Sequence, residues 1–208
     1  ARSPYMPFYY LYLAGYMEKY GISVTIVDPH FRHRKENIDY ILDQVKLHNP
    51  RYIGLSCFVT DYNVVYDLAT KIKTISNAKM LVGNAQPSIA PDDFLFDGSP
   101  FDIVVRGEGE VTVREIVTSF CDSPTYKHID GIAFFDGKSV VITKNRQLMS
   151  LSDLGKPAYH LLDMRWYARP TKHIIRRLAA VCAVIYTGRG CPYSCNFCAS
   201  NVVWGAND

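Results

Sequence analysis

Three cysteines crowded near the C-terminal end are the residues best suited to chemistry. Cys191, Cys195 and Cys198 follow the spacing C-x3-C-x2-C within the segment 187–198, TGRGCPYSCNFC. Zinc sites usually take four ligands from two separated pairs, and the sequence has no second pair. A ferredoxin-type cluster also uses four thiolates. Three thiolates on one loop would leave one corner of a four-iron cluster open, as a catalytic metal centre requires. A zinc or redox-cysteine loop completed by a distant ligand is the alternative.

The rest of the composition favours a metal site in a reducing compartment. Cys57, Cys121 and Cys182 are scattered singly in or beside apolar stretches, which predicts small buried side chains. A net charge of +3 over 208 residues is too small to indicate a nucleic-acid or membrane-surface partner. No apolar run reaches the roughly 18 to 20 residues of a membrane-spanning helix, and no export signal is visible. The sequence therefore predicts a cytoplasmic protein without a transmembrane segment.

The first 122 residues alternate between helical and strand-like patterns. The strand-like runs are short and apolar throughout, as expected when helices cover both faces of a sheet. This alternation predicts an α/β fold with a Rossmann-like (flavodoxin-like), doubly wound parallel sheet. The predicted strands are 22–27, 52–56, 79–83 and 102–106. The predicted helices are 8–20, ended by Gly21, one with its apolar face at 38–45, one capped by Asp61 and reaching residue 75, and 110–121, with at most a short helix in 91–96.

The pattern changes after residue 122. Residues 131–143 predict a β-hairpin, because Asp136-Gly137 suits a type I′ turn. Residues 144–178 are interpreted as a linker, and 179–186 as a strand that leads into the cysteine segment. The predicted domains are therefore 1–122, 123–178 and 179–208. Since the central first strand of such a sheet has no counterpart before residue 8, the chain is expected to begin inside a longer protein.

The cysteine segment resembles the cluster loop of the radical S-adenosylmethionine (radical SAM) superfamily, including the aromatic Phe197 before the third cysteine. The resemblance implies a [4Fe–4S] cluster ligated by Cys191, Cys195 and Cys198. Its open iron would chelate the amino and carboxylate groups of S-adenosylmethionine, with Phe197 beside the adenine. It further implies reductive cleavage to a 5′-deoxyadenosyl radical, with an electron donor such as flavodoxin or ferredoxin.

The upstream layout resembles the cobalamin-binding members of that superfamily. The resemblance lies in segments 24–28 (VTIVD), 54–56 (GLS), 82–84 (VGN) and 102–110 (DIVVRGEGE). It implies a corrinoid lying across the carboxyl ends of the strands, where doubly wound folds bind ligands.

Individual positions carry over from this resemblance. Ser56 would approach the nucleotide tail of cobalamin. Gly83 and Asn84 would allow close backbone approach, although two glycines are commoner in the family at this point. The remaining positions expected to border the same crevice are Gly107, Glu108 and Glu110.

Two other patterns carry simpler interpretations. Segment 28–33 lacks the glycine of the Asp-x-His-x-x-Gly motif and follows the wrong strand, so a bound cobalamin is expected to have no protein histidine ligand. The turn 107–110 could form a phosphate nest. Its two carboxylates argue against an anion, and a strand-to-helix turn with Glu110 near the helix N-terminus is the simpler interpretation.

The resemblance implies an enzyme that methylates, rearranges or cyclises an unactivated carbon of a small-molecule, lipid or tetrapyrrole substrate. The chain ends ten residues after Cys198, before a barrel could be completed, so this chain alone is expected not to turn over. Two alternatives remain. One is a radical SAM enzyme whose upstream domain binds no cobalamin, and the other is a ligand-binding module with structural zinc.

Overall fold

The structure, a computed structural model, describes residues 6–29, 34–119, 125–167, 171–175, 178–180, 185, 187–191, 193, 195–200 and 203. The chain folds as two compact units. One consists of residues 1–41 and 150–188, and the other of residues 42–149 and 189–208. None of the helices in the described ranges is both long and apolar enough to cross a bilayer.

The second unit is built on a five-stranded sheet whose order follows the chain. The first three strands are parallel, and the last two are antiparallel to their neighbours. The predicted Rossmann-like fold is confirmed, with the correction that the sheet is mixed because the hairpin pairs with the third strand. The strands are β1 (Tyr52–Ser56), β2 (Lys79–Gly83), β3 (Ile103–Val105), β4 (Ile132–Phe135) and β5 (Val140–Ile142).

Helices flank this sheet and bury their apolar faces on it. Ile72 and Ile116 are fully buried, as are Met80 in β2 and Ile103 in β3. Burial of β2 and β3 explains why their sequences are apolar at nearly every position. The helices of this unit are α3 (Tyr62–Lys73), α4 (Ala85–Ile89) and α5 (Gly109–Thr118). A further helix, α2 (Arg34–His48), has residues 34–41 in the first unit and residues 42–48 in the second.

Two local predictions in this unit are wrong. Asp61 stands at the N-cap position of α3, but its side chain makes no capping hydrogen bond. Its backbone is already helical (φ −107°, ψ −2°), whereas a capping side chain reaches back from an extended residue. The hairpin turn is also not type I′. Its central residues are Gly137 and Lys138, because Asp136 N–H donates to Ser139 O at 3.1 Å, and only Gly137 has positive φ (93°), as in a type II′ turn.

The first unit contains α1 (Phe8–Lys19), which ends as predicted at Gly21. Gly21 has φ 72°, and its N–H donates to Glu18 O while Ile22 N–H donates to Met17 O. These two bonds form a Schellman motif, which needs a left-handed residue at this point. The unit also contains α6 (Leu151–Leu154), α7 (Met164–Tyr167), β6 (Thr171–Ile175) and β7 (Leu178–Ala180).

Two predictions for the first unit need correction. Residues 22–27 form no strand, and within the described ranges no strand pairs with them. Asp28, which follows them, accepts a hydrogen bond from the Tyr167 hydroxyl. The predicted linker also contains structure, since β6 and β7 form an antiparallel pair. The predicted strand 179–186 is described only in part, and Phe120, Cys121 and Cys182 lie outside the described residues.

Candidate functional site

The carboxyl ends of β1 and β2 bring three predicted corrinoid contacts together. Ser56 ends β1, Gly83 ends β2, and the two are partners in the strand register. Asn84 follows Gly83, and its Nδ2 donates to Ser56 Oγ at 2.8 Å. All three residues are partly exposed. The edge of the sheet is therefore accessible at these two strands.

Asn84 has an unusual backbone conformation. Its φ is 89° and its ψ is −166°, a region that is essentially restricted to glycine. Its side chain compensates in part, because Oδ1 accepts the Ala85 N–H at 2.7 Å and caps α4. The conformation is one that glycine would adopt without strain, and the hydrogen bonds explain how asparagine is accommodated.

The β3–α5 turn continues the same edge. Gly107 has φ 69°, and its N–H donates to Ser88 Oγ at 3.3 Å. Ser88 is buried and donates in turn to Asn84 O at 2.8 Å. This buried serine links the turns after β2 and β3, and no sequence pattern marked it in advance.

Glu108 and Glu110, also in this turn, are both buried and face the cysteine segment. Arg189, two positions before Cys191, donates from Nη1 to Glu108 Oε1 at 3.3 Å and from Nη2 to Glu110 Oε1 at 2.5 Å. Burial of the guanidinium works to lower the pKa of Arg189. Hydrogen bonds and charges from the two glutamates outweigh it and raise that pKa. Arg189 is thus held as a charged group, and sequence reasoning missed it because its partners are 81 and 79 residues away.

The three cysteines are free thiols on the described part of this segment. Cys191 is half-buried, whereas Cys195 and Cys198 are exposed. Cys198 N–H donates to Cys195 O at 3.1 Å, which sets these two residues on one turn. Hydrogen bonding with Ser200 lowers the pKa of the Cys198 thiol. Among the described residues, no three His, Cys, Asp or Glu side chains converge in a metal-binding arrangement.

Two further sequence predictions concern single side chains. Phe197 is 92% exposed, so its ring is available for a planar ligand. Cys57 is fully buried, as predicted for a small apolar side chain. Burial, together with the charge of Asp61, raises the pKa of its thiol to about 11. Residues His30 and His33 of the segment 28–33 lie outside the described residues.

Residues 2–117 match the model of the B12 binding domain family. The chain belongs to this family.

The relatives of this B12-binding domain include cobalamin-dependent radical SAM enzymes. The chain is 32% identical over 161 residues to the cobalamin-dependent radical SAM methyltransferase TokK of Streptomyces tokunonensis, covering 76% of this chain and 22% of TokK. It is 25% identical over 197 residues to an anaerobic magnesium-protoporphyrin IX monomethyl ester cyclase of Synechocystis sp., covering 93% of this chain and 38% of the cyclase. The chain thus spans well under half the length of these curated relatives.

A solved structure shares the fold. The radical SAM methyltransferase TsrM from Kitasatospora setae, with cobalamin and a [4Fe–4S] cluster bound, superimposes with a TM-score of 0.68 at 16% identity. The match covers 99% of this chain and 41% of TsrM. At this identity the similarity shows the fold alone.

Two sets of residues, one in the B12-binding domain and one in the cysteine segment after it, suit the cofactors named for its relatives. A partly exposed Ser56–Gly83–Asn84 row at the ends of parallel strands fits a ligand that lies across the sheet edge. Three free thiols on one short segment, two of them exposed, fit the donor set of an iron–sulfur cluster.

Proposed function

We propose that this chain provides the corrinoid-binding and cluster-binding part of a cobalamin-dependent radical SAM enzyme. The enzyme would use S-adenosylmethionine and cobalamin to methylate an unactivated carbon, or to rearrange or cyclise around one. The single observation that carries the proposal is the Arg189 ion pair, which anchors the three-cysteine segment to the β3–α5 turn of the B12-binding sheet. Both sets of proposed cofactor residues belong to one folded unit, which supports the proposal.

Each set of residues has a separate task in this proposal. Cys191, Cys195 and Cys198 supply three thiolates to a [4Fe–4S] cluster, and Phe197 offers a ring for the adenine of S-adenosylmethionine. The cluster would supply the electron that cleaves S-adenosylmethionine, and cobalamin would carry a methyl group or stabilise an intermediate.

The row at the ends of β1 and β2 orients the corrinoid. Ser56 Oγ, which accepts from Asn84 Nδ2 at 2.8 Å, still has a hydroxyl proton to donate to the nucleotide tail. The backbone at Gly83 and Asn84 borders the ring.

We base the proposed substrate class on the relatives. Relatives named as a carbapenam methyltransferase, a hopanoid methylase and a protoporphyrin ester cyclase favour a small molecule, a lipid or a tetrapyrrole. The electron would come from a donor such as flavodoxin or ferredoxin.

Metal and corrinoid analysis of the anaerobically reconstituted chain tests the proposal. We expect about four iron and four sulfide per chain, retention of added cobalamin, and a change in the spectrum of the reduced cluster when S-adenosylmethionine is added. Cys195→Ala should lose the cluster and keep the circular dichroism of the α/β fold. Cys57→Ala is the matched control and should retain the cluster, since Cys57 is a fully buried free thiol that is not part of the cysteine segment.

Two outcomes would contradict parts of the proposal. One zinc per chain with no sulfide would replace the radical SAM function with a zinc-stabilised ligand-binding module. A complete cluster without any cobalamin retention would leave a radical SAM enzyme whose upstream domain does not bind the corrinoid.

A further inference from the structure

The acidic residues of the β3–α5 turn face the cysteine segment. Glu108 Oε1 accepts from Arg189, and Glu108 Oε2 accepts the Met149 N–H at 2.8 Å. Both oxygens of this buried carboxylate therefore already have protein partners. Glu110 is equally buried, and its Oε1 lies 2.5 Å from Arg189 Nη2.

We propose that Glu108 and Glu110 are positioning residues, which hold Arg189 and so fix the approach of the cysteine segment to the corrinoid edge of the sheet. This assigns the two glutamates a role different from corrinoid contact. The inference rests on the proposed function for the identity of the cofactors, but the contacts themselves involve the protein alone.

The geometry of the arginine explains why it can do this. A guanidinium presents its donors in a rigid planar fork, so hydrogen bonds to two carboxylates fix both its position and its orientation. The Arg189 side chain is 7% exposed, and those of Glu108 and Glu110 are 4% and 7% exposed. Burying the two carboxylates without a cation would cost free energy. The folded state therefore favours Arg189, and with it the cysteine segment, in its place beside the glutamates.

The chain also comes close to this turn after the cysteines. A Cβ added to Gly107 would come within 3.3 Å of Val203 O. The chain therefore passes closely over this turn at Val203 as well as binding it through Arg189. The turn 107–110 thus binds the chain before the three thiols, at Arg189, and lies close to the chain after them, at Val203.

Hydrogen exchange on the apo chain tests the positioning role without any cofactor. The variant Arg189→Gln/Glu108→Gln/Glu110→Gln removes the ion pairs and leaves no unpaired buried charge, while the amide oxygen introduced at position 108 can still accept the Met149 N–H. Loss of charge-assisted hydrogen bonds should raise amide exchange in 189–200 by about tenfold or more, with β1, β2 and β3 unchanged. Arg189→Lys keeps the charge but loses the fork, so its exchange should be intermediate.

The matched control is another arginine–glutamate pair, whose carboxylate, like that of Glu110, belongs to α5. Arg146 pairs with Glu115 of α5 and also donates to Thr112 Oγ1 at 2.8 Å. The variant Arg146→Gln/Glu115→Gln should leave exchange in 189–200 at the wild-type rate.

Cofactor measurements provide the second readout. In the reconstituted triple variant, weaker support of the ligand segment should lower the affinity for cluster iron by about tenfold. Cobalamin retention by Glu108→Gln and Glu110→Gln should equal that of the wild type.

The outcomes separate this inference from the proposed function. Unchanged exchange in the triple variant would overturn the positioning role, and so would weaker cobalamin retention in the single glutamate variants with normal exchange. Increased exchange in a chain whose wild type binds no cluster would keep the positioning role and reject the proposed function.

Discussion

The turns after β2 and β3 leave the same edge of one parallel sheet, but they are built differently. The β2–α4 turn is satisfied by its own neighbours, since Asn84 bonds to Ser56 and Ala85 and remains partly exposed. The β3–α5 turn holds two buried carboxylates, which are satisfied by Arg189 from a distant segment. Adjacent strand ends of one sheet can therefore have separate roles. The first is partly exposed, as the proposed corrinoid contact requires, and the second binds Arg189 of a distant segment.

The largest loss of stability is expected from a substitution at Glu108. Glu108→Ala should lower the free energy of unfolding by about 2 to 4 kcal/mol, because Arg189 loses a charge-assisted hydrogen bond and keeps Glu110 as its one carboxylate partner of the two. The Met149 N–H loses its acceptor as well. Urea unfolding followed by circular dichroism measures the loss. Glu115→Ala serves as a control and should cost about 1 kcal/mol, since that carboxylate is 34% exposed. Equal losses in the two variants would contradict the contrast.

Substitutions at Asn84 test the other turn, between β2 and α4. Asn84→Ala should lower the free energy of unfolding by about 1 to 2 kcal/mol, because it keeps the positive φ and loses the cap and the bond to Ser56. Asn84→Gly loses the same bonds but relieves the backbone strain, so it should be about 1 kcal/mol more stable than Asn84→Ala. Thermal unfolding of the two variants gives the difference. An alanine variant as stable as the glycine variant would show that the backbone at 84 is unstrained.

Asp102 directly precedes β3, at the end of the strand opposite the β3–α5 turn. A substitution there should affect stability without changing either turn. Burial works to raise the pKa of Asp102, but hydrogen bonds from Lys73 and Met80 N–H, with the charges of Lys73 and Lys79, lower it overall. A lowered folded-state pKa stabilises the fold above the unfolded-state value of about 4, and that stability is lost as pH falls below it. Asp102→Asn should therefore cost about 1 to 2 kcal/mol at pH 7. The deficit relative to wild type should shrink below about pH 4.

Denaturant titrations from pH 7 to pH 2 would measure this pH dependence, with amide exchange in 189–200 as the control. A deficit that stays constant across the range would show that the Asp102 charge does not contribute.

The smallest effect is expected at Ser56. Ser56→Ala removes the acceptor of Asn84 Nδ2 at a partly exposed position, so it should cost about 1 kcal/mol. If Ser56 contacts the nucleotide tail, Ser56→Ala should also lower cobalamin retention. This fall should be larger than the fraction of chain that the loss of stability would unfold. Equilibrium dialysis with cobalamin measures it, and unchanged retention would remove Ser56 from the corrinoid contacts.

The sequence was a good guide wherever local patterns decide structure. The end of α1 at Gly21 and strands β1, β2 and β3 follow from turn chemistry and from short apolar runs. Residues 22–27 show the limit of this approach. Their β-branched pattern predicts a strand, but a strand also needs a partner, and pairing depends on parts of the chain far away in sequence.

The candidate site divides in the same way. The cysteine spacing is local and could be recognised directly. The role of Glu108 and Glu110 could not be, because it depends on Arg189, about eighty residues further along the chain. The sequence did contain one chemical signal, because two carboxylates this close together in a turn favour a nearby cation. Arg189, two positions before Cys191, provides that cation.

The position of the cysteine segment over one turn also affects how a metal centre would assemble. In the protein alone Arg189 binds the turn 107–110 and Val203 O lies close to Gly107, so the two ends of the intervening chain are already near each other when the chain folds. The entropy of bringing those ends together is then lost during folding. A metal cluster would only need to order the interior of the segment, and such preorganisation favours tighter binding.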